Sequence, residues 1–364
     1  MSGATDTSTH KSGTPGTRSG ALPHTPKSAT ALGLARRRRS RLIGLAGLGV
    51  ILLIACGLSL ALGSKNIPVA EIWDGLTNPA SPHYAVVTEL RLPRTGLGLF
   101  AGLALGLAGA LMQAMTRNPL ADPGLLGINT GAAAAVVSAI HFLGINAFTG
   151  YLWFAFAGAA LAGTAVYLIA GVTAATPARL ALAGAALTAA GTAYVRTLEL
   201  VDTDNLDQMR FWSVGSLNNA QSVPLVSIAL IVLLGTGLVF ALARPLNALA
   251  LGDDAARSLG ANPTVVRIAG IAAVTLLCGA ATAACGPIVF VGLAVPHIVR
   301  AFVGASQLWT LLYCAVGGPI FLILADVLGR VAGRPSEMQV GIVCAVIGGP
   351  FFIYLVTRRQ AVRL

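Results

Sequence analysis

Apolar residues run in long stretches along this chain, and the polar residues fall between those stretches rather than alternating with them. Ten stretches stand out, over 42–63, 92–114, 124–144, 150–172, 178–199, 223–243, 265–286, 289–304, 308–328 and 340–357. Most are near the roughly 20 residues that a helix needs to cross about 30 Å of hydrocarbon. Lipid offers no partner to backbone N–H and C=O groups, so a spanning segment must bond them internally, as a helix does. The pattern predicts an all-α membrane protein of about ten transmembrane helices. An even number places both chain ends on one side.

Shorter patterns lie in the connections. In 64–90, Ile67, Ile72 and Leu76 line one face of a short helix that stops at Asn78-Pro79, which predicts an extracytoplasmic surface helix. The stretch 200–222 is polar but holds Met209, Phe211, Trp212 and Val214, so a short interfacial or re-entrant helix is expected there, with the aromatic pair at the headgroup level. In 244–264, Asp253 and Asp254 suit the first turn of a helix and Gly260 suits its end, which predicts a short amphipathic helix in the cytoplasm.

Composition agrees with a lipid-facing chain: 55% of the 364 residues are hydrophobic and only 10% are charged. The 43 glycines, together with alanine, suit close helix–helix approach, because lipid supplies no hydrophobic drive for helix association. Residues 1–41 form a basic tail, expected to be disordered and cytoplasmic, ahead of a ten-helix domain over 42–360. A cleaved signal peptide is not expected, since the basic cluster begins only at Arg36 and the apolar stretch after it is long enough to span.

Charge sets the orientation. With the N-terminus inside, the tail carries eight Lys and Arg, including Arg36, Arg37, Arg38, Arg39 and Arg41, and other inside segments carry nine more. Nine of the thirteen carboxylates then fall outside, so the net charge of +11 is a property of the inner face. Topology alone accounts for the basic residues, and no nucleic-acid partner is implied.

Several chemistries are excluded. The last lysine is Lys65, and neither it nor Lys11 or Lys27 follows the glycine spacing of a phosphate-binding loop, so the chain does not bind ATP through that motif. Helix-borne His-Glu zinc patterns and nucleophile-elbow patterns are absent. The five cysteines fall within the apolar stretches without metal-ligand or redox spacing and read as small packing residues. His297 follows Pro296 inside a span; it is either an intramembrane functional group or a helix-end histidine bonded to a freed backbone carbonyl.

The stretch Arg91-Leu92-Pro93-Arg94 opens the second span with two arginines on one helix face, either snorkelling or presenting a positive pair to an acidic partner outside. Past that span, Arg117-Asn118-Pro119-Leu120-Ala121-Asp122-Pro123-Gly124-Leu125-Leu126-Gly127 reads as a tight reversal on the inner side. Together with Gly109, Met112 and Gln113, this run resembles the iron-siderophore and cobalamin permease family, the membrane subunits of type II ATP-binding-cassette importers. The resemblance extends through Leu182-Ala183-Gly184, Phe211-Trp212 with Gly215-Ser216-Leu217, Ala255 to Leu259-Gly260, Gly286-Pro287-Ile288-Val289-Phe290-Val291-Gly292-Leu293 with Val295-Pro296-His297, and Ala325-Asp326, Arg330, Glu337 and Gly341.

That resemblance implies a ten-helix subunit paired with a second permease, identical or paralogous, around a central path. It also implies two cytoplasmic ATPase subunits and an extracytoplasmic substrate-binding protein as partners, with a ferric siderophore as the ligand and no catalytic residue, cofactor or metal site in this chain. Carried over by motif, Arg91, Arg94 and Arg330 match arginines that receive carboxylates of the binding protein. Asn118 and Leu120 match a cytoplasmic gate, and Thr176 a second gate loop. Gly252, Asp253, Ala255, Leu259 and Gly260 match the helix that seats in the ATPase. Gln339 stands where a proline is usual, Val289 where a glycine is usual, and the customary Asp-His-Arg near Ser306-Gln307 is missing. Haem or cobalamin as ligand, and an ion-coupled carrier, are the competing readings; the sparse charge within the spans speaks against the carrier.

Overall fold

The computed structural model describes residues 27–63, 67–171, 177–201, 212–304 and 306–361. All regular structure among them is helical: thirteen α-helices, one π-helical turn and one short 3-10 turn. The elements are α1 (Lys27–Ala61), α2 (Val69–Thr77), α3 (Leu92–Thr116), α4 (Ile128–Leu143), α5 (Phe148–Ala170), α6 (Pro177–Val201) and α7 (Leu225–Ala241). They continue with α8 (Ala243–Ala250), α9 (Asp253–Ser258), α10 (Pro263–Cys285), α11 (Val291–Val303), α12 (Gln307–Ala332) and α13 (Val340–Ala361).

Every one of the ten apolar stretches coincides with a helix, but the helices are not equal. Six are long and apolar enough to cross a membrane: α1, the π turn with α3, α5, α6, α10 and α12. The α7–α8 pair makes a seventh if its 47° bend is taken as one broken span. The remaining three, α4, α11 and the described apolar part of α13, are shorter apolar helices, so length and composition alone support six or seven full crossings among the described residues and do not confirm the count of ten. The segment over 289–304 is short because Phe290 adopts a left-handed conformation (φ 69°) and delays the start of α11 to Val291.

Two compact units divide the chain, residues 1–42 and 43–364. In the first unit the described residues belong to α1, which begins at Lys27, well ahead of the expected span. Alanine, leucine and arginine are strong helix formers, which accounts for the extension. In the second unit, α3 and α10 form the centre: 78% of the most apolar window of each is buried, against 22% for α6. The π turn at Val86–Arg91 runs directly into α3, whose Pro93 lies in the first turn, where its missing N–H is no loss.

Around α3 pack α7, α10, α11 and α12. Backbone approaches closely: a Cβ at Gly109 would lie 2.0 Å from the Gly292 carbonyl oxygen of α11, so only glycine permits this crossing. Pro296 inside α11 cannot bond the Gly292 carbonyl, and Gln113 of α3 donates to it at 3.4 Å and to the Leu293 carbonyl at 3.3 Å. The freed carbonyl expected near His297 is therefore reached by Gln113, while His297 itself sits within the helix with its ring edge-on to Phe351.

The segment after α6 departs from expectation. Met209 and Phe211 lie outside the described residues, and Trp212 is buried among the helices rather than exposed on the surface. Backbone bonds fold this stretch inward: the Ser216 N–H donates to Cys285 O at 2.7 Å, and the Gly341 N–H donates to Gly215 O at 3.0 Å. A segment tied on both sides to helix ends is held among the helices, and its tryptophan goes with it.

Candidate functional site

The polar side chains gather at the two ends of the bundle. At one end, three arginines converge on the carbonyls at and just past the C-terminus of α1, the negative end of the helix, whose last four carbonyls have no partner within it. Arg91 Nη1 donates to Leu60 O and Ala61 O, Arg330 Nη1 donates to Ser59 O at 3.0 Å and Leu62 O at 2.9 Å, and Arg334 donates to Gly63 O at 2.8 Å. Arg330 also donates to the Ser59 hydroxyl at 2.9 Å, and that hydroxyl shares a 2.8 Å bond with Thr95 of α3.

Asp326, one turn before Arg330 on α12, is 1% exposed and takes two guanidinium groups. Arg330 Nε lies 3.1 Å from it, without hydrogen-bond alignment, and Arg94 grips it with Nε at 3.0 Å and Nη2 at 2.8 Å. The third arm of Arg94 donates to Glu337 at 2.6 Å. Four guanidinium groups thus meet two carboxylates and one helix terminus.

Arg91, Arg94 and Arg330, expected as outward-facing docking residues, are brought together here, but they face inward. Arg91 and Arg330 are buried, and the Arg94 side chain is 11% exposed. Arg334 is exposed and belongs to the same cluster, a residue the sequence reading passed over. It lies just past the end of α12, where no helical spacing links it to Arg330.

At the other end, α9 is the short helix expected over 252–260. Gly252 precedes it with φ 115°, a conformation open to glycine, and Gly260 follows it with φ 80°. Ala256 is buried and anchors the helix, whereas Leu259 is 65% exposed and points its side chain away from the core. Ala255 is half-buried between them. Asp253 opens the helix, where the positive end favours an acid, and its carboxylate is held from two directions. Arg267 of α10 donates at 2.9 and 2.8 Å, and Arg117, at the end of α3, donates at 3.0 Å. Burial by itself would raise the Asp253 pKa, but the bonds and charges of Arg267 and Arg117 outweigh it and hold the carboxyl below its ordinary range.

Arg117 leads into the reversal that holds Asn118 and Leu120. It is one of two non-glycine residues with positive φ (50°) among the described residues, which ends α3 abruptly. The Leu120 N–H donates to the Asn118 side chain at 3.0 Å and the Gly124 N–H donates to Asp122 at 2.8 Å, so two Asx turns shape the loop. Thr176 lies outside the described residues. On the far side of α9, Asn262 caps α10 by accepting from the Thr264 and Val265 N–H groups, and Pro263 occupies its first position.

A bundle of apolar helices with charged clusters confined to its two ends defines a multi-pass membrane protein that does its work between two aqueous faces. Residues 51–358 match the model of the FecCD transport family, and the chain belongs to that family. It is a membrane permease subunit, not an enzyme, as the sequence reading expected. A permease of this kind acts with ATPase and substrate-binding partners in an inner membrane.

The chain is 42% identical over 325 residues to the ferric enterobactin transport system permease protein FepD of Escherichia coli (strain K12), covering 88% of this chain and 96% of that one. It is 39% identical to the Fe(3+)-citrate import system permease protein YfmD of Bacillus subtilis (strain 168), over 88% and 96% of the two chains. The hemin transport system permease protein HmuU of Yersinia pestis is 37% identical, over 87% of this chain and 96% of that one. Among solved structures, an inward-facing metal-chelate type ABC transporter matches with a TM-score of 0.75 and 28% identity, covering 86% of this chain and 98% of the other.

Proposed function

We propose that this permease forms half of the path by which a ferric siderophore enters the cell, pairing with a second permease subunit and driven by two cytoplasmic ATPase subunits. The observation that carries the reading is the 42% identity to a ferric enterobactin permease along 88% of the chain, together with further iron-chelate permeases among its relatives. An apolar hollow of about 500 Å³ beside the outer end of α13, lined in part by Val214, Pro287, Val289, Ile342 and Val346, suits a bulky chelate whose metal is already wrapped.

In this reading both termini are cytoplasmic. The helix bearing Gly252, Asp253, Ala255, Leu259 and Gly260 seats in an ATPase, with the exposed Leu259 as its apolar contact. The reversal at Asn118 and Leu120, with Thr176, forms the inner gate. The outer arginine cluster around Arg91, Arg94 and Arg330 meets the acidic lobes of the binding protein. Because its arginines are engaged internally, it meets them as a cluster rather than through free guanidinium groups. Transport follows from a switch between two global states that ATP and the docked partner favour differently.

The test is uptake of radio-iron carried by enterobactin, citrate, a hydroxamate or haem in cells lacking the gene, before and after complementation. Selective loss of siderophore-borne iron, restored by the gene, is the expected result. Loss confined to haem iron would move the assignment to haem, the ligand in the name of the Yersinia relative. Unchanged uptake of all four, in a strain without another iron-chelate importer, would overturn the iron reading.

A further inference from the structure

The bridge at Asp253 joins three elements that no periodicity connects: the first turn of α9, the end of α3 at Arg117, and the first two turns of α10 at Arg267. We infer that Asp253 is the positioning residue that ties the ATPase-facing helix to the inner gate, so that the two move as one body. The inference rests on the reading of α9 and of the Asn118–Leu120 turn given above, and adds the link between them.

Four features support the link. Arg117 is covalently adjacent to Asn118, so a pull on its guanidinium is a pull on the gate turn. Its left-handed backbone ends α3 at that residue, so the turn is a separate piece that can pivot against the helix. Among the described residues one carboxylate serves the two arginines: Arg267 takes both oxygens, at 2.9 and 2.8 Å, and Arg117 takes one, at 3.0 Å. The other charged pair on α9, Asp254 with Arg257, stays within the helix and reaches neither α3 nor α10. Charge-assisted bonds shared between rigid elements carry displacement, whereas the flanking Gly252 and Gly260 allow α9 to tilt about its ends.

The experiment uses the complete importer in inside-out membrane vesicles and needs no transported ligand. Leu120→Cys is placed at the gate, and its labelling rate with a charged maleimide is measured with and without ATP plus vanadate. The native cysteines are buried, apart from half-buried Cys56, and serve as the background control. With Asp253 intact, the rate is expected to change about five-fold or more on nucleotide trapping, the low end of coupling between two sites.

In Asp253→Asn and in Arg117→Gln the rate is expected to become insensitive to nucleotide, with ATPase association and ATP hydrolysis persisting in Arg117→Gln, whose side chain lies outside the ATPase-facing helix, and the double variant is expected to be no worse than either single one. Asp253→Glu is expected to restore the response. A full response in both single variants, additive losses in the double variant, or loss of the ATPase from Arg117→Gln would overturn the inference. If the Leu120→Cys rate does not respond even with Asp253 intact, it is the gate assignment that fails, and the link falls with it. Should Asp253→Asn not reach the membrane, Arg117→Gln decides alone, its side chain being 43% exposed and dispensable for packing.

Discussion

Replacing Asp326 by asparagine removes one charge from the outer cluster without changing its shape, and the consequence can be worked from the geometry. Asp326 and Arg330 are each about 98% shielded, and Asp326 is the only carboxylate within salt-bridge distance of Arg330 among the described residues. Arg94 keeps Glu337, so its charge remains matched, but Arg330 keeps only the Ser59 and Leu62 carbonyls and the Ser59 hydroxyl. Breaking a buried pair from one side costs about 3–5 kcal/mol, because the stranded charge has no water to return to. At about 2 °C per kcal/mol for a chain of this size, the apparent melting temperature should fall by about 6–10 °C. The assay is size-exclusion recovery of the detergent-solubilised permease after heating. Asp326→Asn combined with Arg330→Met should lose less than the sum of the single losses, since the second change removes the stranded charge. A fall under about 2 °C, or strict additivity, would refute the claim that the two groups form a buried, mutually neutralising pair.

Two further outcomes follow from other parts of the structure. Gly109→Val should prevent α3 and α11 from closing, because the contact is with backbone at 2.0 Å and cannot be relieved by a rotamer change; a loss of more than about 3 kcal/mol, read as failure to accumulate in the membrane or early melting, is expected. The bridge at Asp253 should respond to acid in one direction only: its carboxyl is held below the ordinary range in the folded chain, so its contribution is present above the unfolded value of about 3.9 and disappears as pH falls through the folded one. The stability difference between the unaltered chain and Asp253→Asn, measured by melting, should therefore be flat from pH 7 to pH 5 and shrink below pH 4; a difference that grows on acidification would contradict the assignment.

Much of the fold was legible because it rests on local chemistry. Long apolar stretches announced helices, the ends of α2 and α9 were readable from Asn78-Pro79 and from Asp253, Asp254 and Gly260, and Ile72 is buried on α2 as expected, whereas Ile67, though buried, precedes the helix. Crossing length was less legible: 289–304 reads as one apolar stretch, yet the left-handed turn at Phe290 leaves a helix of only 13 residues. Trp212 shows the same limit, since its aromatic character suits an interface but bonds from Ser216 to Cys285 and from Gly341 to Gly215 carry the segment inward.

By itself the sequence determined that this chain lives in lipid and that it is helical, because hydropathy acts residue by residue. What its arginines do was decided by tertiary structure. Arg330 reaches Ser59 across 271 positions, Arg94 reaches Asp326 across 232, and Arg117 meets Asp253 across 136. No local period records such pairings. They arise because packing brings distant elements together: α1 and α12 set the carbonyls at the end of α1 beside Arg330, α3 and α12 set Arg94 beside Asp326, and the end of α3 meets α9 at Asp253, since guanidinium groups away from water must find partners or stay out.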